Sequence, residues 1–305
     1  MKILVTGGAG YKGVVLTKAL LDKGHQVTIL DNFMYGCESL LHLVGNPSLS
    51  VVREDIRNLT EKHVKDFDVI YHLAGISGYP ACEANPHSAK LINVDASRKL
   101  RDLLSRDQRL IYASTTSFYG KSGARCDEET PVEPVSLYGI TKYQGEQELL
   151  QHANAISLRF ATIFGVSPRM RVDLLVNDFT SKAVHERCIV LFESKTKRTF
   201  LHIQDAVDAY VFTLEHLDTM KRGIFNVGSD SLNFTKMEIA AAVKAETGCN
   251  IIDSEMKDFD TRNFVIAFDK FTRLGFRAQR TLQDGVRELA KLYRFYRPFS
   301  AYATI

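Results

Sequence analysis

The chain has 305 residues, 45% apolar and 25% charged; that composition is ordinary for a globular protein, excludes disordered and fibrous classes, and fits one large or two modest domains. A formal charge of +3, from 39 basic and 36 acidic residues, gives no electrostatic case for nucleic acid or an anionic membrane as partner. No apolar run is long enough for a bilayer, the N-terminus runs straight into a strand pattern without a leader signal, and five scattered cysteines with no C-x-x-C pair predict reduced thiols, a cytoplasmic location and no metal site.

In chain order, residues 2–6 read as a buried strand, followed by a glycine-rich turn and a helix over about 11–23. Gly24 closes that helix and 26–30 is the next strand. Residues 49–53, 69–73, 110–113 and 156–160 repeat the strand signal, with helical stretches near 87–105 and 137–152 between them. Strands alternating with helices predict βαβ units and a parallel sheet covered on both faces. With right-handed crossovers the expected fold is α/β, a Rossmann-type doubly wound sheet. After Gly165 the alternation weakens, with helices expected over 172–185 and 205–217. The expected organisation is a dinucleotide-binding domain of 1–165 plus about 199–226. A smaller interleaved substrate lobe would take about 166–198 and 227–305.

Thr6-Gly7-Gly8-Ala9-Gly10-Tyr11-Lys12-Gly13 joins the first strand to the first helix. Gly7, Gly10 and Gly13 allow a tight turn and a close backbone approach, and the helix start offers free N–H groups to a pyrophosphate. The second strand ends in Asp31, 21 residues after Gly10, where a carboxylate can accept hydrogen bonds from ribose hydroxyls and repel a 2′-phosphate. Glycines, strand and acid together predict NAD as cofactor. Lys12 stands where an apolar residue is usual, either as a solvated helix side chain or as a second charge near phosphate.

Tyr138 and Lys142 lie four residues apart on one face of an expected helix. A free phenol titrates near about 10, and a neighbouring ammonium favours its phenolate. Ser114-Thr115-Thr116-Ser117 places hydroxyls after the fifth strand, at the sheet edge where doubly wound folds carry chemistry.

These residues resemble the extended short-chain dehydrogenase/reductases that act on nucleotide sugars, a family of 4-epimerases, dehydratases, decarboxylases and 4-dehydrogenases. The resemblance covers almost the whole chain. It runs through the glycine turn, Asp31-Asn32, Asp55-Ile56, His72-Leu73-Ala74-Gly75, Asn93-Val94, the stretch 114–120, Tyr138 to Lys142, Arg159, the stretch 198–205 and Phe225-Asn226-Val227-Gly228. It implies Tyr138 as acid/base, Lys142 as its tuner and nicotinamide-ribose ligand, and Thr115 as the hydroxyl on the sugar. Cofactor contacts implied are Gly7, Gly10, Tyr11, Gly13, Asp31, Asn32, Asp55, Ile56, Leu73 and Ala74. Arg198 and Arg262 would hold the substrate's diphosphate with Asn177 beside it, and Thr116 and Arg171 would also face substrate. The helices near 87–105 and 137–152 would form a homodimer contact, with Leu91, Val94, Leu100, Leu149 and Leu150 as candidate apolar surface or, for most of them, as packing against the sheet.

Three departures narrow the expected chemistry. Dehydratases carry Asp-Glu after the catalytic Thr and decarboxylases Ser-Glu; here the residues are Thr116 and Ser117, which supply no carboxylate for elimination. Thr162-Ile163-Phe164-Gly165 replaces the usual N-x-Y-G. The basic stretch Ser167-Pro168-Arg169-Met170-Arg171 resembles a bacterial subgroup linked to capsule and lipopolysaccharide sugars that includes heptose nucleotide 4-dehydrogenases; its arginines would bind phosphate or a purine, or be solvated loop charges. The expected activity is NAD-dependent oxidation at the 4-position of a nucleotide-diphospho sugar, as a 4-epimerase. One alternative is a 4-dehydrogenase that stops at the ketone. The alternative from another class is a non-catalytic dinucleotide-binding protein, which has no use for Thr115, Tyr138 and Lys142.

Overall fold

The computed structural model describes residues 1–120, 125–256 and 264–297. Seven parallel strands form the main sheet, in the order Ile224–Val227, Ala155–Phe160, Arg109–Thr115, Val69–His72, Lys2–Thr6, Gln26–Asp31, Leu49–Arg53. The six expected strands are all present, and the residues quoted above as Phe225-Asn226-Val227 supply the seventh. Strand order reverses on the two sides of Lys2–Thr6: Thr6 is flanked by Leu30 on one side and His72 on the other. A crevice therefore opens beyond the carboxyl ends of these strands, and the glycine turn lies at its floor. The strands read as continuous apolar runs because both faces are covered; every residue of Val69–His72 and Ala155–Phe160 is buried.

The helix expected near 87–105 is present as Pro86–Lys90, a π-helical turn at Leu91–Asp95, then Ala96–Leu103, with a short separate helix Tyr79–Ala84 before it. The wide turn carries Asn93, whose side chain accepts from the Ile76 amide (2.9 Å) and donates to the Ile76 carbonyl and to Thr141 Oγ1 (both 3.0 Å). Such turns insert one residue into a helix and re-aim a side chain; here Asn93 ties a cleft loop to the helix Leu137–Leu149. That helix lies close by. A Cβ at Gly145 would stand 2.2 Å from the Asn93 carbonyl oxygen, so only glycine permits the approach.

Of the two readings of the apolar residues on these helices, packing against the sheet holds for most of them. Val94, Leu100 and Leu149 are buried, and Leu91 and Leu150 are half-buried. Leu100, Leu149 and Leu150 pack with Leu4, Ile70 and Leu110 of the sheet. The surface carries ion pairs in their place, Arg98 and Arg101 each 2.7 Å from Glu148.

Residues after Gly165 build a second core around Phe164, Phe200, Ile189, Ile239 and Leu289. Its sheets are small: Asn233–Thr235, Lys197–His202 and Thr162–Phe164 in one, Asn250–Ser254 and Cys188–Phe192 in another. The expected helices appear as Leu175–His185 and Ile203–Glu215. Among the described residues, no helix is long and apolar enough to cross a membrane and no His/Cys/Asp/Glu group could hold a metal.

Candidate active site

The crevice is a cleft of about 240 Å³. Its floor is the glycine turn. Gly7 has φ +72°, and a Cβ there would lie 2.6 Å from the Ala74 amide nitrogen; a Cβ at Gly13 would lie 2.2 Å from the Gly7 carbonyl oxygen. Glycine is therefore required for the backbone itself to close the turn. The helix Tyr11–Asp22 starts from Gly10 with no side-chain cap, which leaves its first N–H groups for an anion. The Ser114 hydroxyl is buried, lines the cleft and has no hydrogen-bond partner among the described residues. A Cβ-free cradle, an uncapped helix start and a buried hydroxyl without partner fit a dinucleotide.

Asp31, at the end of the second strand, is partly engaged by the turn: Oδ2 accepts from the Ala9 amide (3.1 Å) and Oδ1 from the Phe33 amide (2.9 Å). Burial raises its carboxyl above the ordinary range, opposed by those two amides and by the Arg169 guanidinium. Each oxygen retains acceptor capacity. Asp55 is held down to about 2, above all by Arg57, which grips it through Nε (2.9 Å) and Nη2 (2.8 Å). Asn32 donates to the same carboxylate at 3.2 Å.

The reacting groups come from two elements. Ser136 caps the helix Leu137–Leu149, its Oγ accepting from the Gly139 amide at 3.2 Å, so Tyr138 and Lys142 leave the first turns on the face toward the cleft. The Tyr138 hydroxyl makes no hydrogen bond to another described residue. Lys142 is 6% exposed, and its ammonium sits 4.0 Å from the centre of the Tyr112 ring. Burial and then the neighbouring Lys12 ammonium push Lys142 down to about 7, with Glu146 opposing. Thr115 ends the fifth strand with its Oγ accepting from the Ser117 amide at 3.1 Å and donating to Ser117 Oγ at 3.0 Å.

The structure thus brings Gly7, Gly10, Tyr11, Gly13, Leu73, Thr115, Tyr138, Lys142 and Arg171 to one cleft. Asp31, Asn32, Asp55, Ile56, Ala74, Thr116, Asn177 and Arg198 are not among its lining residues. The Tyr11 hydroxyl donates to the Gly165 carbonyl (2.7 Å). Thr116 is buried and donates to the Phe160 carbonyl (3.3 Å). Asn177 is buried and works as a clamp on the chain, accepting from the Gly165 amide (3.0 Å) and donating to the Arg171 carbonyl (2.8 Å). Arg198 is 7% exposed on Lys197–His202, the strand that pairs with Thr162–Phe164. Arg262 lies outside the described residues.

Two lining features exceed the sequence reading. The arginines of 167–171 are not solvated loop charges: Arg169 is 4% exposed and its guanidinium lies 4.5 Å from the Tyr35 ring centre. Arg171 pairs with Asp173 and donates to Ser77 Oγ at 3.1 Å. Lys12 is not a solvated helix side chain either. It lines the cleft with its ammonium 4.6 Å from the centre of the Phe160 ring. Burial and the Arg171 guanidinium push it down to about 7. The signal for Lys12 was its departure from an apolar pattern; the groups that pack on it, Phe160, Arg171 and Tyr210, come from far along the chain. No Asp or Glu lines the cleft among the described residues.

Residues 3–228 match the model of the NAD dependent epimerase/dehydratase family. UDP-glucuronic acid decarboxylase 1 of Arabidopsis thaliana is 30% identical over 258 residues, covering 80% of this chain, which spans 58% of that protein's length. UDP-glucose 4-epimerase of Corynebacterium glutamicum is 28% identical over 252 residues, 75% of each chain. The crystal structure of UDP-glucuronic acid 4-epimerase from Bacillus cereus in complex with UDP-glucuronic acid and NAD superposes with a TM-score of 0.87 at 25% identity, covering 96% of this chain and 99% of that one.

Proposed function

The chain belongs to the NAD dependent epimerase/dehydratase family, and from that premise we propose that it is a nucleotide-sugar 4-epimerase. The observation that carries this reading is a cleft holding Thr115, Tyr138 and Lys142 with no carboxylate among its described lining residues. Such a set can move a hydroxyl proton at the carbon that gives up hydride; removal of carbon-bound protons and expulsion of water need an acid and base of other strength.

NAD, when bound, supplies the hydride acceptor and donor. Gly7, Gly10, Tyr11 and Gly13 would receive its pyrophosphate at the helix start and Asp31 its adenosine ribose. Thr115 donates to or accepts from the sugar's 4-hydroxyl, and Tyr138 takes that proton on oxidation and returns it on reduction. Lys142 holds positive charge beside both. Its ammonium, weakened by burial and Lys12, regains stability as the anionic diphosphates enter. Arg171 borders the same end of the cleft and suits an oxygen anion through its planar fork. Remote contacts to nucleotide and diphosphate orient the reacting carbon.

A second reading, a hexose or GDP-heptose nucleotide 4-dehydrogenase, is favoured by Lys12, a further cation beside the reacting groups. The experiment is incubation with uridine-, guanosine- and thymidine-diphospho hexoses and heptoses, with mass and proton NMR analysis of the product. Unchanged mass with inverted configuration at the 4-carbon is the expected result. Loss of two hydrogens selects the 4-dehydrogenase. Loss of water at enzymatic rates overturns both readings.

A further inference from the structure

Lys12 sits inside the cleft where the glycine turn meets the first helix. Its ammonium lies 4.6 Å from the Phe160 ring centre and 5.8 Å from that of Tyr210, and among the described residues it makes no ion pair and no hydrogen bond. The charged and titratable groups around it come from several elements. Lys142 and Tyr138 face the cleft from the helix Leu137–Leu149, Arg171 from the loop after Thr162–Phe164, and Tyr210 packs from Ile203–Glu215. Arg171 and Lys142 are the ionic neighbours, both cationic, and the nearby carboxylate of Asp173 is engaged by Arg171.

Lys12 is half-buried, and a cation drawn out of water with only cations as ionic neighbours is unfavourable. Packing alone does not require it, since an apolar side chain would fill the space against Phe160 and Tyr210. The chemistry offers a reason. Tyr138 must reach the hydroxyl of the carbon that exchanges hydride, so the reacting nicotinamide ring has to lie in this same cleft. That ring carries a positive charge when oxidised and none when reduced. A fixed positive charge nearby disfavours the first and leaves the second unaffected.

We propose that Lys12 is a specificity-determining residue for the redox state of the cofactor, making the chain hold the reduced form more tightly relative to the oxidised form than an uncharged side chain would. The inference rests on the NAD-dependent reading above. It biases the sugar half-reaction toward the ketone, because oxidation of the 4-hydroxyl is coupled one-for-one to reduction of the bound cofactor.

The test equilibrates the purified full-length chain with a known mixture of NAD⁺ and NADH, separates bound from free, and quantifies the bound ratio. Lys12→Met is expected to lower the preference for NADH about tenfold, the scale of one screened like-charge contact; a ratio within about twofold of wild type overturns the inference. Lys12→Arg keeps the charge and decides the matter if the Met variant fails to fold. As pH rises through the lysine's own titration near about 7, wild type should lose preference for NADH and the Arg variant should lose less, since arginine stays charged. Lys142 titrates in both proteins and is coupled to the charge at position 12, so the readout is the retained preference of the Arg variant, and identical profiles overturn the inference. Binding of neither cofactor form would instead sink the NAD-dependent reading itself.

Discussion

Two groups of cations flank the helix Leu137–Leu149, buried Arg159 on one side and buried Lys142 with half-buried Lys12 on the other, and the protein treats them oppositely. Arg159 is 3% exposed and pairs with the fully buried Glu146 at 2.6 Å. Ser157 donates to the same carboxylate at 2.6 Å, and Arg159 donates to the Tyr119 hydroxyl at 2.7 Å, which donates to Asn226 at 2.9 Å. Burial works against the Arg159 charge, and Glu146 more than offsets it, so the guanidinium is held above its ordinary value. One turn before Glu146 on the same helix, Lys142 has no such partner, and with Lys12 it is pushed down to about 7. A buried charge satisfied within the chain binds elements together; buried charges left unsatisfied in a cleft await a ligand's anion. The contrast separates scaffold from site without reference to any relative.

Substitutions can break that division. The largest effect expected is on rate. Tyr138→Phe removes the proton acceptor and keeps the ring, so turnover should fall roughly 10²- to 10⁴-fold while cofactor binding and the unfolding midpoint hold. A comparable loss of stability would mean that Tyr138 belongs to the scaffold.

Next comes Glu146→Ala, which leaves Arg159 buried without its carboxylate and should cost about 3–5 kcal/mol in denaturant unfolding. Replacing the pair together, Glu146→Leu with Arg159→Met, should recover much of it. An equally unstable double variant would show that Tyr119 and Asn226, not the ion pair, hold the network.

The smallest effect concerns the unpaired side of the comparison. Lys142 titrates near about 7 when folded and near about 10.4 when unfolded. Between those values the unfolded chain binds the proton that the folded chain has released, so stability rises with pH across the window and the penalty is fully present below it. In cofactor-free protein, Lys142→Met should lower that slope by at most about 1.4 kcal/mol per pH unit. Unfolding curves collected across the window decide this, and equal slopes would mean Lys142 is already paired.

What was legible in the sequence is what local spacing dictates. The glycine set, the acid closing the second strand and the Tyr–Lys pair depend on neighbours within one turn or one βαβ unit, and strand alternation follows from apolar runs. What local spacing does not show is set where distant chain closes over a residue. Lys12 looked solvated because nothing near it in sequence announces Phe160, Tyr210 or Arg171. The wide turn at Asn93 inside the helix near 87–105 has no local signal, because it packs against Gly145, fifty residues on. The periodicity of Leu100 and Leu149 suits either a partner or the sheet beneath them, and only the packed structure shows that the sheet takes them.

The contact between Gly145 and the Asn93 carbonyl also governs the tolerances of the site. Tyr138 lies seven residues before Gly145, about 10 Å along a rigid helix. The cleft loop at Ile76 hangs from Asn93 itself. One point of backbone contact thus acts as a datum from which both the proton-transferring phenol and the opposite rim of the cleft are positioned. Any bulk added there would be transmitted along both arms. Since roughly 1 Å of misplacement can cost on the order of a hundredfold in rate, a residue that touches neither substrate nor cofactor sets how accurately the two halves of the cleft meet.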